Sequence, residues 1–422
     1  MNPGLRRRSG RSSLEAGLKE REQGRNGVRL HWLLSFVTVA ACASTEVLLQ
    51  GPPDGSVSVP EVTEADGGQD AGQGEAGRPP CADCEFFPDV CSPDILCPSG
   101  PFDPTSADGH LASGITISTI RGRSASDVWA VGALGAVAHF DGTTWATSDV
   151  GSQESLRSLW LRDGGELAFG YPSRVYTHGL WDVDGGGTPS GGGWSLNVPN
   201  TRGLGDEDSS TRLWASWGAS DAKWFWMTVT SSNYPGLWRM TQMPSGALEA
   251  QAPFSMATCR IHHCAAMYAI HGASADELWA VGPAGFAVRV SGADGDTPTV
   301  KAFNSRTFNA LSAVWAASAS DVWAVGGEGT IRHYTGDPVT WDVVSGVPTT
   351  GNLKAVWGSS SADIWAVGDA GLVLHYDGQT WSRVKVAGQG LRRPNLTTVW
   401  VAAPGHVWVG GQGVILSLGG KP

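Results

Sequence analysis

The feature that most constrains this chain is a unit written again and again along it. Its fullest copy is residues 361–381, SADIWAVGDAGLVLHYDGQTW. Residues 126–145 (SDVWAVGALGAVAHFDGTTW) and 320–341 (SDVWAVGGEGTIRHYTGDPVTW) follow it closely, and residues 275–292 and 405–418 more loosely. From Trp279 to Trp323 is 44 residues, then 42 to Trp365 and 43 to Trp408. A fixed period of this size means that each unit is one supersecondary element, unable to bury its apolar face alone. The units must stack, either in a line or in a closed ring.

Each unit reads as strands. Ile364-Trp365-Ala366-Val367 is a short apolar run ended by Gly368, and a second run from Leu372 to Tyr376 ends at Asp377-Gly378. Short runs bounded by Gly and Asp-Gly signal hairpins, and no 3.6-residue period is present. Trp381 opens an alternating outer strand, and Leu353 to Trp357 forms a strand ahead of the motif. Four strands in about 42 residues is the size of a propeller blade. The leading strand recurs at Ile117, Leu156, Leu213, Met267, Leu311, Leu353 and Leu396, as Leu-x-x-Val-Trp or a relative of it. The expected fold class is therefore all-β: a β-propeller of about seven four-stranded blades, with six as the alternative count. In blades two and three the WAVG motif has decayed to Leu167-Ala168-Phe169-Gly170 and Trp224-Phe225-Trp226. By the spacing of blade six, the outer strand of blade seven falls beyond Pro422, so residues 101–113 are expected to supply or cover that edge.

The DVWAVG…G…HYDG…W unit resembles the Trp-rich repeat propellers of secreted bacterial proteins, grouped with BNR-type and tectonin-type repeats. The resemblance runs from Ile115 to the C-terminus and implies architecture more than activity, because the repeated residues are those that build a blade. BNR-bearing sialidases carry a Ser-x-Asp-x-Gly-x-Thr-Trp box. Aligned on Gly378 to Trp381, this chain has Leu374 and Tyr376 at the Ser and Asp positions. That departure argues against the family's catalysis here. No GxSxG, HExxH or P-loop is present either.

Ahead of the repeats the chain changes character. Residues 1–27 are polar and Arg-rich; residues 28–42 then have a basic start, a short apolar stretch and small residues before Cys42. This reads as a secretory signal, too short to span a membrane. Val39-Ala40-Ala41-Cys42 resembles the lipobox of bacterial lipoproteins, which implies lipidation of Cys42, and Ala43 and Ser44 after it imply sorting to the outer membrane. The expected organisation is a signal peptide at 1–41, a lipidated Cys42 with a disordered linker to residue 80, a small Cys-rich segment at 81–100 and the propeller at 101–422. The linker lacks aromatic residues and cannot build a core.

Cysteine usage fits export. With Cys42 set aside, Cys81, Cys84, Cys91 and Cys97 form one cluster and Cys259 and Cys264 a close pair. Disulfides are expected in both places in preference to zinc, in the cluster without a chosen connectivity. Cys259 to Cys264 is read as a loop staple, with His262 and His263 beside it. Asp182 and Asp184 sit in a Gly-rich stretch without the remaining ligands of a calcium loop. No metal or cofactor is expected.

His139, His333 and His375 occupy one blade position. A catalytic residue is needed once, whereas these recur with the fold, so they are expected to bond within the blade, for instance to Asp127, Asp321 and Asp363. First-strand spacings of 57 and 54, against 39 to 44 elsewhere, place insertions in blades two and three. These carry Trp181, Trp194, Tyr234 and Trp238, the candidate ligand-binding aromatics. Net charge of −11 with no basic run beyond the N-terminus argues against a nucleic-acid partner. The expectation is a non-catalytic, extracytoplasmic, lipid-anchored propeller that binds an envelope protein, or alternatively a glycan such as lipopolysaccharide; a glycosidase-type hydrolase is the third reading.

Overall fold

The structure, a computed structural model, describes residues 83–102, 110–179, 188–201, 204 and 211–420. Seven four-stranded antiparallel sheets form a seven-bladed β-propeller. Six of the blades are each a consecutive meander. Blade six is typical: Leu353–Ser360, Asp363–Gly368, Val373–Tyr376 and Trp381–Arg383, from the axis outward. The two blades with decayed motifs keep this plan, with first strands Ser158–Arg162 and Arg212–Trp217. Seven is therefore the blade count.

The repeated VGxxG segment makes the turn between second and third strands. Leu134, Ala284, Glu328 and Ala370 all have φ between 52° and 56°, followed by a glycine also at positive φ. The second position requires glycine for space as well: a Cβ on Gly135 would strike the Ser152 carbonyl, and one on Gly285 the Thr307 carbonyl. The core lies between blades. Trp323 of blade five, for example, packs with Tyr376 and Trp381 of blade six at centroid distances of 5.0 and 5.7 Å.

The ring closes through the N-terminal segment, but not where the spacing placed it. Leu96–Pro98 pairs antiparallel with Val414–Leu418 as the outermost strand of blade seven. The strand comes from residues 96–98, and of the segment expected to supply or cover that edge the described residues Phe102 and Leu111 pack against the cluster that holds Trp408 and Ile415 of blade seven. The segment expected to stand apart as a small Cys-rich unit at 81–100 is thus built into the ring from residue 83 onward. Phe87 packs against Trp365 and Val386, and the Arg393 guanidinium lies 3.6 Å from the Phe87 ring centroid. A three-residue strand is poorly specified by pattern, and its pairing with a strand some 320 residues away leaves no local trace.

Cys91 is bonded to Cys97, on that closing strand, and Cys259 to Cys264. Cys84 is also disulfide-bonded. Cys42 and Cys81 lie outside the described residues. The Cys259–Cys264 segment is not a loop: Cys259 belongs to the helix Met256–His262, capped by the Ser255 hydroxyl, which accepts from the Thr258 N–H. His263 follows at φ 59° and stacks on Phe286.

Candidate functional site: the axial channel

The repeat histidines serve the fold, as their recurrence implied. His139, His333 and His375 each donate through Nε2 to Asp127, Asp321 and Asp363, at 2.9, 2.7 and 2.8 Å. The same carboxylate oxygen accepts from the Nε1–H of Trp129, Trp323 or Trp365 at 2.9–3.0 Å, and each imidazole faces its tryptophan, at centroid distances of 4.2, 3.9 and 4.4 Å. Burial opposes ionisation of Asp363, yet the bonds from His375, Ser359 and Trp365 outweigh it and hold the carboxyl below its ordinary range. Blade four replaces the pair with Arg289 and Glu277, 2.6 Å apart, and blade two with His178 and Glu166. One structural role is thus filled by different chemistry.

The candidate ligand-binding aromatics fare differently. Trp194 is only 1% exposed. It fills the outer-strand tryptophan position of blade two, its Nε1–H donates to Ser148 at 2.9 Å, and it meets Trp129 edge-on. Trp238 is buried on a third strand and donates to the Pro235 carbonyl, with Tyr234 packed edge-on against it. Neither tryptophan is the solvent-facing ring expected of an insertion. Trp181, Asp182 and Asp184 lie outside the described residues.

The concave feature of the ring is its axis. A channel of about 660 Å³ opens on the face that carries the turns between second and third strands. Its mouth is formed by one residue from each blade, all at the first x of the Leu-x-x-Val-Trp repeat: Ser118, Arg157 and Trp214 in blades one to three, Tyr268 in blade four, then Ser312, Lys354 and Thr397. In five blades this residue is a β-bulge, skipped by the ladder between, for instance, Leu353 and Ala355. The bulge frees the side chain from the pleat's alternation and turns it to the axis.

Three residues further on, at the level of the floor, the first strands carry Arg121, then Trp160, Trp217, His271, Trp315, Trp357 and Trp400, of which Arg121, His271 and Trp357 line the channel. Several of these tryptophans lie against the next blade. A Cβ on Gly358 would sit 2.8 Å from Trp315, and Gly122 is covered by Trp400. Trp357 instead reaches across the axis. The Arg121 guanidinium lies 4.2 Å from its ring centroid, and His271 meets it edge-on at 4.8 Å. Arg121 and Trp357 line both this channel and a second space of about 420 Å³ on the opposite face, so they partition the axis. Burial, with Arg121 nearby, pulls the His271 imidazole down to about 3, so it is neutral. Its Nδ1 accepts from the Ala316 N–H at 3.1 Å.

No family model and no curated protein matches the sequence. Solved propellers do. The structure of YCF48 bound to a D1 peptide superposes with a TM-score of 0.55 at 16% identity, covering 78% of this chain and 96% of that one. YCF48 from Cyanidioschyzon merolae gives 0.52 at 16% identity, covering 72% and 95%. The WD40 β-propeller domain of Doa1 gives 0.51 at 11%, covering 72% and 93%. At these identities the likeness is one of fold.

Proposed function

We propose that this protein is a non-catalytic binding propeller that takes a segment of another protein into the mouth of its axial channel. The observation that carries this reading is the mouth itself. Seven structurally equivalent positions, held on a rigid ring, carry Ser, Arg, Trp, Tyr, Ser, Lys and Thr, while the leading position beside them is Leu, Ile or Met in every blade and the Trp position is Trp in five of the seven. Individual chemistry on a repeated scaffold is the usual arrangement of a recognition surface. That a YCF48 propeller is solved with a bound peptide supports the choice of a peptide ligand. The non-catalytic part rests on the recurring Asp–His pairs, each joined by a hydrogen bond within its own blade.

The reading extends to a lipid anchor at Cys42, an outer-membrane or cell-surface location and membership of the secreted Trp-rich repeat propellers. Disulfides in the ring support an oxidising compartment. Two measurements test these points. Labelled palmitate should enter the wild-type protein and not Cys42→Ala, which should leave the membrane fraction; unchanged membrane association would remove the anchor. Parallel peptide and glycan arrays probed with the purified full chain should give peptide hits lost in Trp214→Ala. Glycan hits lost in the same variant would favour the lectin reading instead.

A further inference from the structure

The mouth is not uniform around its circumference. Three adjacent blades place Arg157, Trp214 and Tyr268 side by side. The rings of Trp214 and Tyr268 are 4.6 Å apart, and the Arg212 guanidinium lies 4.0 Å from the Trp214 centroid. The far side carries Ser312, Thr397 and Lys354, whose ammonium is 3.5 Å from Asp369. Charge on that side is thus matched within the protein.

On the near side it is not. Among the described residues no carboxylate pairs with Arg157 or with Arg121. Arg121 bonds through Nη1 to the Ile120 carbonyl at 2.7 Å and otherwise faces the Trp357 ring. Burial draws its guanidinium down to about 10. Burial lowers Arg157 too, and Arg212 nearby adds to the effect. A desolvated cation without an anion destabilises a fold. This chain has 40 acidic residues against 29 basic ones, so carboxylates are not scarce. Uncompensated guanidiniums at two levels of one cavity are suited to an anion that arrives from outside.

We propose that this half of the channel is a subsite for an acidic peptide segment. One carboxylate meets Arg157 at the mouth, a second meets Arg121 at the floor, and an apolar or aromatic side chain between them lies against Trp214 and Tyr268. The proposal rests on the peptide-binding reading above. The two arginines stand three strand residues apart in level, about 10 Å, so the acidic groups of an extended ligand are separated by about three residues. Guanidinium binds carboxylate through paired N–H bonds, each charge-assisted.

The test uses the purified full chain and hexapeptides labelled with an uncharged dye, read by fluorescence anisotropy. The peptides carry Asp and Glu, or Asn and Gln in their place, and are made as free acids and as amides. Binding should follow negative charge, the free-acid and amide pairs telling a terminal carboxylate from an acidic side chain. Arg157→Gln and Arg121→Gln should each weaken it about tenfold or more, as loss of a charge-assisted bond implies. Lys301→Gln, on the outermost strand of blade four and away from the channel, should change it little. In the ligand-free protein Arg121→Met should hold or raise the melting temperature, because it removes a buried charge without breaking an ion pair and keeps an apolar side chain against Trp357. If the Asn and Gln peptides bind as well as the acidic ones and the arginine variants are unaffected, the acidic subsite falls while peptide binding stands. If no peptide binds and a uronic or phosphorylated glycan does, the peptide reading falls and this proposal with it. A lowered melting temperature for Arg121→Met, with unchanged binding, would make Arg121 a structural residue.

Discussion

His271 stands where five blades place tryptophan, and its burial makes it a pH sensor of fold stability. Its folded pKa of about 3 lies below the ordinary 6.5, so between those values the unfolded chain holds a proton that the folded chain does not. Its contribution is therefore fully present above pH 6.5 and is lost as pH falls toward 3, by at most about 1.4 kcal/mol per pH unit. Urea midpoints should drop between pH 7 and pH 5, and His271→Gln should flatten that slope. Equal slopes in the two proteins would show that other groups govern it. Asp363 is a second residue whose effect can be measured. It accepts from His375, Trp365 and Ser359, and Asp363→Ala leaves three donors without an acceptor. A loss of about 1–3 kcal/mol in denaturant unfolding is expected. The Asp–His pairing was legible from the sequence because it recurs at fixed spacing. The tryptophans were harder: Trp194 follows Gly191-Gly192-Gly193 much as Trp381 follows Gly378-Gln379-Thr380, a likeness that marks it as blade core and was hidden by the insertion before it.

Between elements, the contact that sets blade spacing near the axis is a floor tryptophan over a glycine of the next blade. Gly358→Ala would put a methyl 2.8 Å from Trp315, and backbone on one side and a packed ring on the other leave little room to yield. The substitution should cost about 1–3 kcal/mol, read as a fall in melting temperature, whereas Gly346→Ala, which has open space around it, tests only the backbone strain of its positive φ. At the closing strand, Cys97 is fully buried and bonded to Cys91. The double variant Cys91→Ser/Cys97→Ser should lose about 2 kcal/mol by the loop-entropy estimate for so short a separation. A melting temperature equal to wild type would mean that strand pairing alone holds the closure. The blade pattern was readable because strands two and three are apolar with fixed punctuation. The mouth residues were not, since they fall at the x positions of the motif, where a repeat by definition carries no signal. Their very variability, Ser, Arg, Trp and Tyr in successive blades, was the available clue.

At the scale of the whole molecule, the ring depends on its two ends meeting. Deleting residues 45–77 should leave the melting temperature unchanged, while deleting residues 83–98 should lower it and broaden the transition, because blade seven then loses its outer strand and its disulfide. Equal melting of both truncations would remove closure from the stability of the ring. The sequence by itself determined the kind of architecture: period, strand count per unit and the Gly and Asp-Gly turns are local properties, and four strands in about 42 residues point to propeller blades, whereas the choice of seven blades over six was made by the structure. It also determined which histidines and aspartates are structural, since a catalytic group has no reason to repeat. Only the tertiary structure decided which N-terminal residues complete blade seven, which tryptophans are buried, and that Arg121 and Arg157 face one cavity without a counter-charge. Those facts join residues tens to hundreds of positions apart, and such proximity is set by packing around a common axis rather than by anything adjacent in the chain.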